Sequence, residues 1–442
     1  MPRLGLRVPR LGRGAAQVIA SGGRVAVVWL PAFGFSAGHH DSTLETFVFS
    51  TIVTIAWTLG LRGAFSAARS TLLAVGVWVA AAVGAATGLV VVSALNAWLP
   101  WIAFTPVELL ELTAIIFLLS AVWESVTLAS VAAEQRVLIV GADPTGAEIV
   151  EQLTEMHDSP FEVVGIVIDD ELHPGQLARL PEIVRLHQPD LVVLTNHRPE
   201  TFEALLDVAG AGFKVVGPPA FYEHAFGRVP VRLVNQSWFM SVLHLYRQPY
   251  TRVAKRVFDV LVATVGLLLT APLLPLLALA VSRTPGPIIF RQLRLGKGGA
   301  TFTIFKFRTM LQDAEPVGAV WASVGDARIT RVGALMRRTR LDELPQLVNV
   351  LRGEMSIVGP RPERPEFMQE LKEAVPFWSR RHLVKPGITG WAQVHRGYTA
   401  DADGTAEKLA YDLWYLRHRS LVLDLAICVK TVTTLLTGTG AR

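Results

Sequence analysis

The amino-acid sequence predicts a multidomain membrane protein of three parts: an N-terminal helical transmembrane bundle, an α/β Rossmann-like domain with a parallel sheet, and a mainly α-helical (α/β) C-terminal part whose first helix is broken inside an apolar run. Three observations carry this expectation. Of 442 residues 51% are hydrophobic and only 18% charged, against about 25% charged in a soluble domain. Residues 136–216 alternate short apolar runs with helical stretches, the pattern of a doubly wound sheet. The run Val260 to Ser282 holds no charge over 23 residues yet contains Pro272 and Pro275.

The N-terminus carries Arg3, Arg7, Arg10, Arg13 and Arg24 before any apolar stretch. A basic start of this kind can precede a cleaved signal peptide or a first membrane span. The stretch Val25 to Ala37 is interrupted by Pro31 and Gly34, so it reads as a short first span, with a signal peptide as the other reading. Residues 44–60, 71–95 and 106–131 are clearer apolar segments, two of them with the ~20 residues that cross a bilayer as helix. Arg62 and Arg69 lie in the first link between them, whereas residues 96–105 carry no charge. Four spans with Arg62, Arg69 and the basic terminus on the cytoplasmic side satisfy the positive-inside rule. The chain then re-enters the cytoplasm near Ala132, and 1–131 is the transmembrane part. Without the first span the count is odd and that topology fails.

From Gln135 the texture changes. Strands are expected at Arg136–Val140, Glu162–Ile168, Asp190–Thr195 and Phe213–Val216, with helices to about Met156 and at 199–210, so 132–245 is the Rossmann-like domain. Its glycine turn, Gly141 to Gly146, lacks the second glycine of the dinucleotide fingerprint. Asp143 stands there, and its charge repels phosphate. A plain strand-to-helix turn is therefore favoured over a nucleotide site, with Asp170 as the candidate ribose ligand on the second reading.

Residues 246–442 form the last part, with the broken helix at about 257–282. Pro272 removes a backbone donor and clashes with the preceding turn, so the helix breaks or kinks there. A helix broken in mid-bilayer can return to the side it came from. A kinked full span is the alternative, but it would put two cytoplasmic-looking regions on opposite sides.

Net charge is +5, too mild to indicate nucleic acid and compatible with a membrane surface or a phosphorylated substrate. Cys428 is the only cysteine, which excludes an intrachain disulfide and a cysteine-based metal or redox site. Three polar motifs carry chemistry: Lys306-Phe-Arg308-Thr-Met310, Arg340-Leu-Asp342-Glu343-Leu-Pro345-Gln346 and Gly359-Pro-Arg361-Pro362. Singly each is bland. Asp342 can be the N-cap of a helix from Glu343 to about Leu351, and the cations a solvated face. Together they suit phosphate chemistry. An ionised aspartate near a helix N-terminus can attack phosphorus. A diphosphate substrate then needs its charge offset by Mg²⁺ on Asp342 and Glu343 and by Lys306, Arg308, Arg340 and Arg361 as phosphate-binding cations.

These motifs resemble the bacterial sugar transferase family, the monotopic polyprenyl-phosphate glycosylphosphotransferases. The resemblance runs through Pro285-Gly-Pro-Ile-Ile-Phe-Arg-Gln292, Lys306 to Met310, Thr330-Arg-Val-Gly333, Leu341 to Asn349, Met355 to Pro362 and Lys385-Pro-Gly-Ile-Thr-Gly-Trp-Ala-Gln393, in the family's order. The layout resembles its long members, with N-terminal spans, a Rossmann-like middle domain and a monotopic catalytic domain. The resemblance implies a two-step reaction in the bacterial inner membrane with the catalytic domain cytoplasmic. Asp342 attacks the sugar-linked phosphate of a nucleotide-diphosphate sugar, uridine being the implied base, and polyprenyl phosphate takes the phosphosugar from it. Glu343 matches the family's second acid, and the Pro272 run its re-entrant helix. The sequence departs from the family at two places. Ala271-Pro272 replaces a Ser-Pro pair, with Thr270 as the substitute hydroxyl, and His395-Arg-Gly-Tyr-Thr399 replaces an Asn-Gly-Arg stretch. Partners implied are the donor, the lipid carrier and the bilayer, with self-association left open.

Near the C-terminus, Trp378, Arg380, Arg381, His382 and Lys385 mix aromatic and basic groups as interfacial segments do, and Leu421 to Leu436, with Asp424 and Lys430, reads as a packed or interfacial helix. Two other functions fit parts of this layout. A membrane-anchored nucleotide-sugar dehydratase needs a Tyr-x-x-x-Lys pair, and none of Tyr222, Tyr246, Tyr250, Tyr398, Tyr411 and Tyr415 has a lysine four residues on. A nucleotide-sensing scaffold suits residues 1–245 but leaves the acid and cation motifs unexplained.

Overall fold

The computed structural model describes residues 13–38, 42–68, 74–98, 104–131, 135–141, 143–156, 159–168, 175–196, 198–245, 249–311, 326, 328–395 and 402–437. Asp170, Arg396 and Tyr398, along with Arg3, Arg7, Arg10 and Arg69, lie outside these residues. The chain divides into two compact units, Met1–Phe226 and Gly227–Arg442.

The first unit begins with four helices, α1 (Arg13–Ala37), α2 (Thr43–Ala68), α3 (Ala74–Trp98) and α4 (Pro106–Val131). Each packs on its chain neighbour and α1 also meets α4, which closes a four-helix bundle. Small residues set the approach of α2 to α3: a Cβ on Gly84 would meet Leu61, and one on Gly88 would meet Trp57. Between α1 and α4 the buried Glu124 carboxylate pairs with Arg24, one guanidinium nitrogen at 2.8 Å. Among the described residues two of these helices are long and apolar enough to cross a membrane, over Val77–Ala94 and Pro106–Thr127, while Thr43–Thr58 is a shorter apolar helix. The first helix is not among them. Polar and small residues, Gln17, Ser21, Gly22, Gly23 and Arg24, dilute the apolar character of its first half.

The same unit holds a parallel sheet of β1 (Gln135–Val140), β2 (Phe161–Val167), β3 (Leu191–Leu194) and β4 (Lys214–Val216), in the order β2-β1-β3-β4. All four strands stand where the apolar runs place them. Between them run α5 (Pro144–Glu155), α6 (Leu180–His187) and α7 (Pro199–Asp207), and α8 (Pro218–Phe226) ends the unit. The Leu180–His187 helix was not expected, because Pro181 hides in its first turn, where proline is tolerated. Leu138, Val140, Val167, Leu180, Val184, Val192 and Leu205 form the core. The glycine turn follows β1, at the switch point between β1 and β3. Asp143 caps α5 there, its Oδ1 accepting from the Thr145 N–H and hydroxyl at 2.7 Å. The helix N-terminus that would receive a pyrophosphate is thus held by a carboxylate of the chain itself.

The second unit starts earlier than the Rossmann-like domain was expected to end. The Val229 N–H donates to the Ala410 carbonyl, Arg228 pairs with Glu407, and α9 (Gln236–Leu245) packs on α16 (Ala402–His418). Residues 227–245 add no strand to the sheet.

Next come α10 (Pro249–Thr270) and α11 (Leu273–Ser282), bent by 67° at Ala271-Pro272. Pro272 leaves the Leu268 carbonyl without its helical donor. The Thr270 hydroxyl does not replace it. It donates to the Gly266 carbonyl at 2.7 Å, a back-bond that itself bends helices. Val253, Val257, Leu261, Val265 and Leu268 are exposed along one face of α10, whereas Asp259 and Ala263 are buried on the other.

The hairpin β5 (Ile289–Leu295) and β6 (Thr301–Phe307) follows, then α12 (Arg331–Arg338), α13 (Gln346–Arg352), β7 (Ser356–Val358), α14 (Met368–Ala374), β8 (Gly387–Thr389), α15 (Trp391–His395), α16, and α17 (Leu421–Thr437). Val281, Phe307 and Met336 join α11, β6 and α12 in one core. Asn349, wholly buried, ties α13 to β6: its Oδ1 accepts from the Phe305 N–H at 3.1 Å, and its Nδ2 donates to the Thr303 carbonyl and Glu354 at 2.7 Å. Arg256 of α10 donates to the Val350 and Leu351 carbonyls at 2.7 and 2.8 Å, which caps the C-terminus of α13.

The segment expected at a lipid surface is largely core. Trp378, Arg381 and His382 are buried. The Arg381 guanidinium lies over Trp378 and contacts Glu363 at 3.3 Å and Asp412 at 2.7 Å. The carboxylates draw the arginine inward, and only Arg380 of the group is exposed while Lys385 is half-buried. Helix α17 buries Leu423, Asp424, Ala426 and Ile427 on one face and exposes Val429 and Val432 on the other. Asp424 pairs with Lys255 at 2.7 Å. Replacing Asn349 by alanine removes three part-buried hydrogen bonds, and a loss of about 2–3 kcal/mol in unfolding free energy is expected, measurable as a lower thermal midpoint.

Candidate functional site

The Asp342-Glu343 pair does not cap a helix. Arg340, after the end of α12, takes the left-handed backbone conformation (φ 58°), which a non-glycine residue adopts at a cost of about 1–2 kcal/mol. The chain then makes one 3₁₀ turn, Leu341–Glu343, and Pro345 opens α13. This detour turns both carboxylates inward, and Asp342 and Glu343 are 7% and 6% exposed. Strained backbone of this kind clusters at active sites and ligand clamps.

Three cations converge on one oxygen. Glu343 Oε1 lies 3.1 Å from Lys306 Nζ, 3.2 Å from an Arg361 nitrogen and 3.9 Å from Arg340. Burial alone would raise the Glu343 carboxyl, but Lys306, Arg361 and Arg340 outweigh it and hold the group far below the usual carboxylate range. Burial pushes Asp342 the other way, above its ordinary value, reinforced by the Glu343 charge and opposed by Lys306, Arg337 and Arg361. Asp342 Oδ1 is buried and has no hydrogen-bond partner among the described residues, and neither has the amide nitrogen of Gln346 four residues on. A carboxylate oxygen left unpaired in a buried site is expensive unless a ligand completes it.

Each cation is delivered by a different device. Lys306 comes from β6, held against α13 by Asn349. Arg361 follows a close crossing of two backbone segments. A Cβ on Gly359 would lie 2.4 Å from the Lys385 carbonyl oxygen, and one on Gly390 would lie 2.2 Å from the Gly359 carbonyl oxygen. Only glycine fits there, which explains two of the glycines in the matching motifs. Arg308 pairs with neither acid among the described residues, and its Nε and Nη1 are buried without a partner there. Its guanidinium donates to the Val281 and Thr284 carbonyls at 3.0 and 2.8 Å and so fastens the end of α11 to β6. The helix end it caps lies outside the three phosphate motifs, so residue type alone favoured the wrong neighbour. Arg337 was missed. It donates to the Thr309 hydroxyl at 2.8 Å and lowers the Asp342 value, yet in sequence it is one of a basic run, Arg337-Arg338-Thr-Arg340.

Among the described residues no group of three or more His, Cys, Asp or Glu could hold a metal ion. Magnesium commonly takes one or two protein carboxylates and fills its shell with substrate phosphates and water. The open oxygen of Asp342 beside Glu343 fits that donor set.

The opposite shifts give opposite signs for stability. Glu343 is held low, so its contribution is present above the unfolded value and is lost only as pH falls well below the ordinary carboxylate range. Asp342 is raised, so its ionisation opposes folding at neutral pH and is relieved as pH falls through its value. Glu343→Gln strands three cations and is expected to destabilise by about 3–5 kcal/mol, whereas Asp342→Asn raises the thermal midpoint at pH 7. A calorimetric scan of both variants checks the signs.

Residues 250–438 match the family model described as bacterial sugar transferase. The chain is 45% identical over 217 residues to the UDP-N-acetylgalactosamine-undecaprenyl-phosphate N-acetylgalactosaminephosphotransferase of Aeromonas hydrophila, covering 49% of this chain and 51% of that protein. It is 33% identical over 356 residues to the UDP-glucose:undecaprenyl-phosphate glucose-1-phosphate transferase of Escherichia coli (strain K12), covering 76% of this chain and 75% of that one. A Xanthomonas campestris pv. campestris protein with the same name is 44% identical over 194 residues, 43% of this chain and 40% of its own length. The chain thus spans about half the length of the Aeromonas protein and three quarters of the Escherichia coli one. The site's motifs and these alignments agree that the chain belongs to the bacterial sugar transferase family.

Proposed function

We propose that this membrane protein transfers a sugar-1-phosphate from a nucleotide-diphosphate sugar, most simply a UDP-sugar, to polyprenyl phosphate, and releases nucleoside monophosphate. The observation that carries the reading is the buried, unpartnered Asp342 Oδ1 beside a carboxylate held ionised by Lys306, Arg361 and Arg340. Relatives named as UDP-sugar:undecaprenyl-phosphate transferases support the reaction class. They differ in the sugar they name, so the donor's sugar is decided by experiment. The step initiates synthesis of an exopolysaccharide or other surface glycan, and one relative is named as an exopolysaccharide production protein.

In the first half-reaction Asp342 Oδ1 attacks the sugar-linked phosphorus. The bond from that phosphorus to the oxygen bridging the two phosphates breaks, and nucleoside monophosphate leaves with the electron pair. In the second, a phosphate oxygen of polyprenyl phosphate attacks the same phosphorus. The aspartyl–phosphorus bond breaks, which restores the Asp342 carboxylate and forms polyprenyl diphosphate sugar. Lys306 and Arg361 neutralise the diphosphate and keep Glu343 ionised, while Arg337 offsets the Asp342 charge. Magnesium, held by Asp342 and Glu343, would supply charge neutralisation on the phosphate oxygens. The α10–α11 pair acts as a re-entrant helix in the inner membrane: its exposed Val and Leu face contacts lipid, its 67° bend at Pro272 returns the chain, and the catalytic unit stays cytoplasmic.

The test is release of nucleoside monophosphate from a panel of nucleotide-diphosphate sugars by the full-length protein with polyprenyl phosphate and Mg²⁺. Lipid-dependent turnover is expected, reduced on the order of 10³-fold or more in Asp342→Asn. Release of nucleoside diphosphate, or an active variant, would sink the assignment. Because the nucleophile must be ionised and Asp342 is raised, turnover falls as pH drops through a value above that of a free aspartate. A pH–rate profile whose acid limb lies at the ordinary aspartate value contradicts this.

A further inference from the structure

The β5–β6 hairpin carries a cation that the site above does not use. Side chains alternate along a strand, and residues directly opposite in an antiparallel pair point to the same side. Phe290 stands opposite Lys306 and Arg294 opposite Phe302, so Lys306, Gln292 and Arg294 share one face of the hairpin. The end of β5 is tied to the segment that delivers Arg361. The Leu295 N–H donates to the Glu363 carbonyl at 2.9 Å, and Arg294 Nη1 donates to the Pro362 carbonyl at 3.2 Å. Arg294 Nη2 donates to the Gln292 side-chain oxygen at 2.7 Å. The guanidinium is thus held against the residue that follows Arg361.

Arg294 is short of anions. Both of its bonds go to neutral oxygens, and its Nε is buried without a partner among the described residues. No carboxylate there pairs with it: the two acids that attract it, Glu363 and Glu366, contact Arg381 at 3.3 Å and Arg364 at 3.6 Å instead. Burial, together with the charges of Arg361 and Arg364, presses the guanidinium down to about 10, against Glu363 and Glu366. A desolvated cation repelled by its neighbours is costly unless an anion completes the site. The charge of Arg294 also bears on Lys306. The cations that act most on Asp342 are Lys306, Arg337 and Arg361, so Arg294 extends the row by one, away from the nucleophile.

We propose that Arg294 binds the phosphate of the donor that leaves with the nucleoside, while Lys306 and Arg361 hold the sugar-linked phosphate that Asp342 attacks. This rests on the transferase reading above, which supplies a diphosphate whose two phosphate groups lie in a row. In the first half-reaction negative charge develops on the departing phosphate oxygen, and a cation one step beyond the attacked phosphorus stabilises it there. A guanidinium suits the task, because its fixed fork matches phosphate oxygens. Pro362 and Gln292 fix the plane of that fork through Nη1 and Nη2. Each of those nitrogens keeps a second hydrogen for a ligand, and the side chain is only half-buried.

The experiment titrates uridine monophosphate and uridine into the full-length protein in neutral detergent, followed by calorimetry. Relatives named for UDP-sugars decide the choice of base. The wild type is expected to bind the monophosphate about tenfold or more tighter than the nucleoside. Arg294→Gln is expected to lose about tenfold in monophosphate affinity with uridine binding unchanged. Arg294→Lys, which keeps the charge, is expected to lose less. The thermal midpoint of unliganded Arg294→Gln should equal or exceed that of the wild type at neutral pH, because an ionised base pressed below its ordinary value opposes folding. Unchanged monophosphate affinity in Arg294→Gln would overturn the proposal. So would a lowered midpoint with equal loss of both ligands, the mark of a structural clamp on Pro362. A loss confined to undecaprenyl phosphate, titrated in parallel, would assign the residue to the acceptor and overturn it as well. Binding of the monophosphate that Arg294 controls, in a protein releasing none from any donor, would uphold the site and sink the transferase reading instead.

Discussion

The Glu343 carboxylate, shared by Lys306, Arg361 and Arg340, is the interaction on which the second unit depends. Each cation arrives from a separate stretch of chain, and each would repel the others if the acid were missing. Glu343 offsets most of the burial of Lys306 and Arg361, with Asp342 and Glu363 adding to it, while Arg340 stays partly exposed. The price is paid in local geometry: Arg340 sits in a left-handed conformation, and the Gly359–Gly390 crossing is too tight for any side chain. In return, the neighbouring Asp342 is left buried with an oxygen to spare.

The bent helix pair α10–α11 is built into this arrangement. Arg256 holds the far end of α13, whose first turn follows the acid pair, and Asp259 accepts from the Ser356 hydroxyl and the Ile357 N–H of β7 at 2.9 and 3.0 Å. Arg308 fastens the end of α11. The bent helix pair is therefore tied to the elements on either side of the turn that carries the acid pair.

Much of the fold was legible because it rests on periodicity and length. The strands from Gln135 to Val216 are apolar runs bounded by turn residues, and a hydrophobic core forces such runs into a sheet. The break at Pro272 follows from a missing N–H. What misled was residue type without context. The Trp378 to Lys385 segment has an interfacial composition, yet Glu363 and Asp412 bury its arginine. Arg308 looks like a phosphate ligand and serves as a helix cap. Asp342 looks like a cap and is none, because a left-handed Arg340 intervenes.

The sequence by itself determined the order of the parts, the strands, the helix break and the acid pair with its motifs, since these depend on local covalent chemistry and on patterns of polarity. Only the tertiary structure decided which charges meet. Lys306, Arg337, Arg340 and Arg361 are chemically as suitable as Arg308, and the choice among them is made by where β6, α12 and the glycine crossing carry their side chains. Electrostatic energy falls with distance and rises with burial, and neither quantity is written in the order of residues.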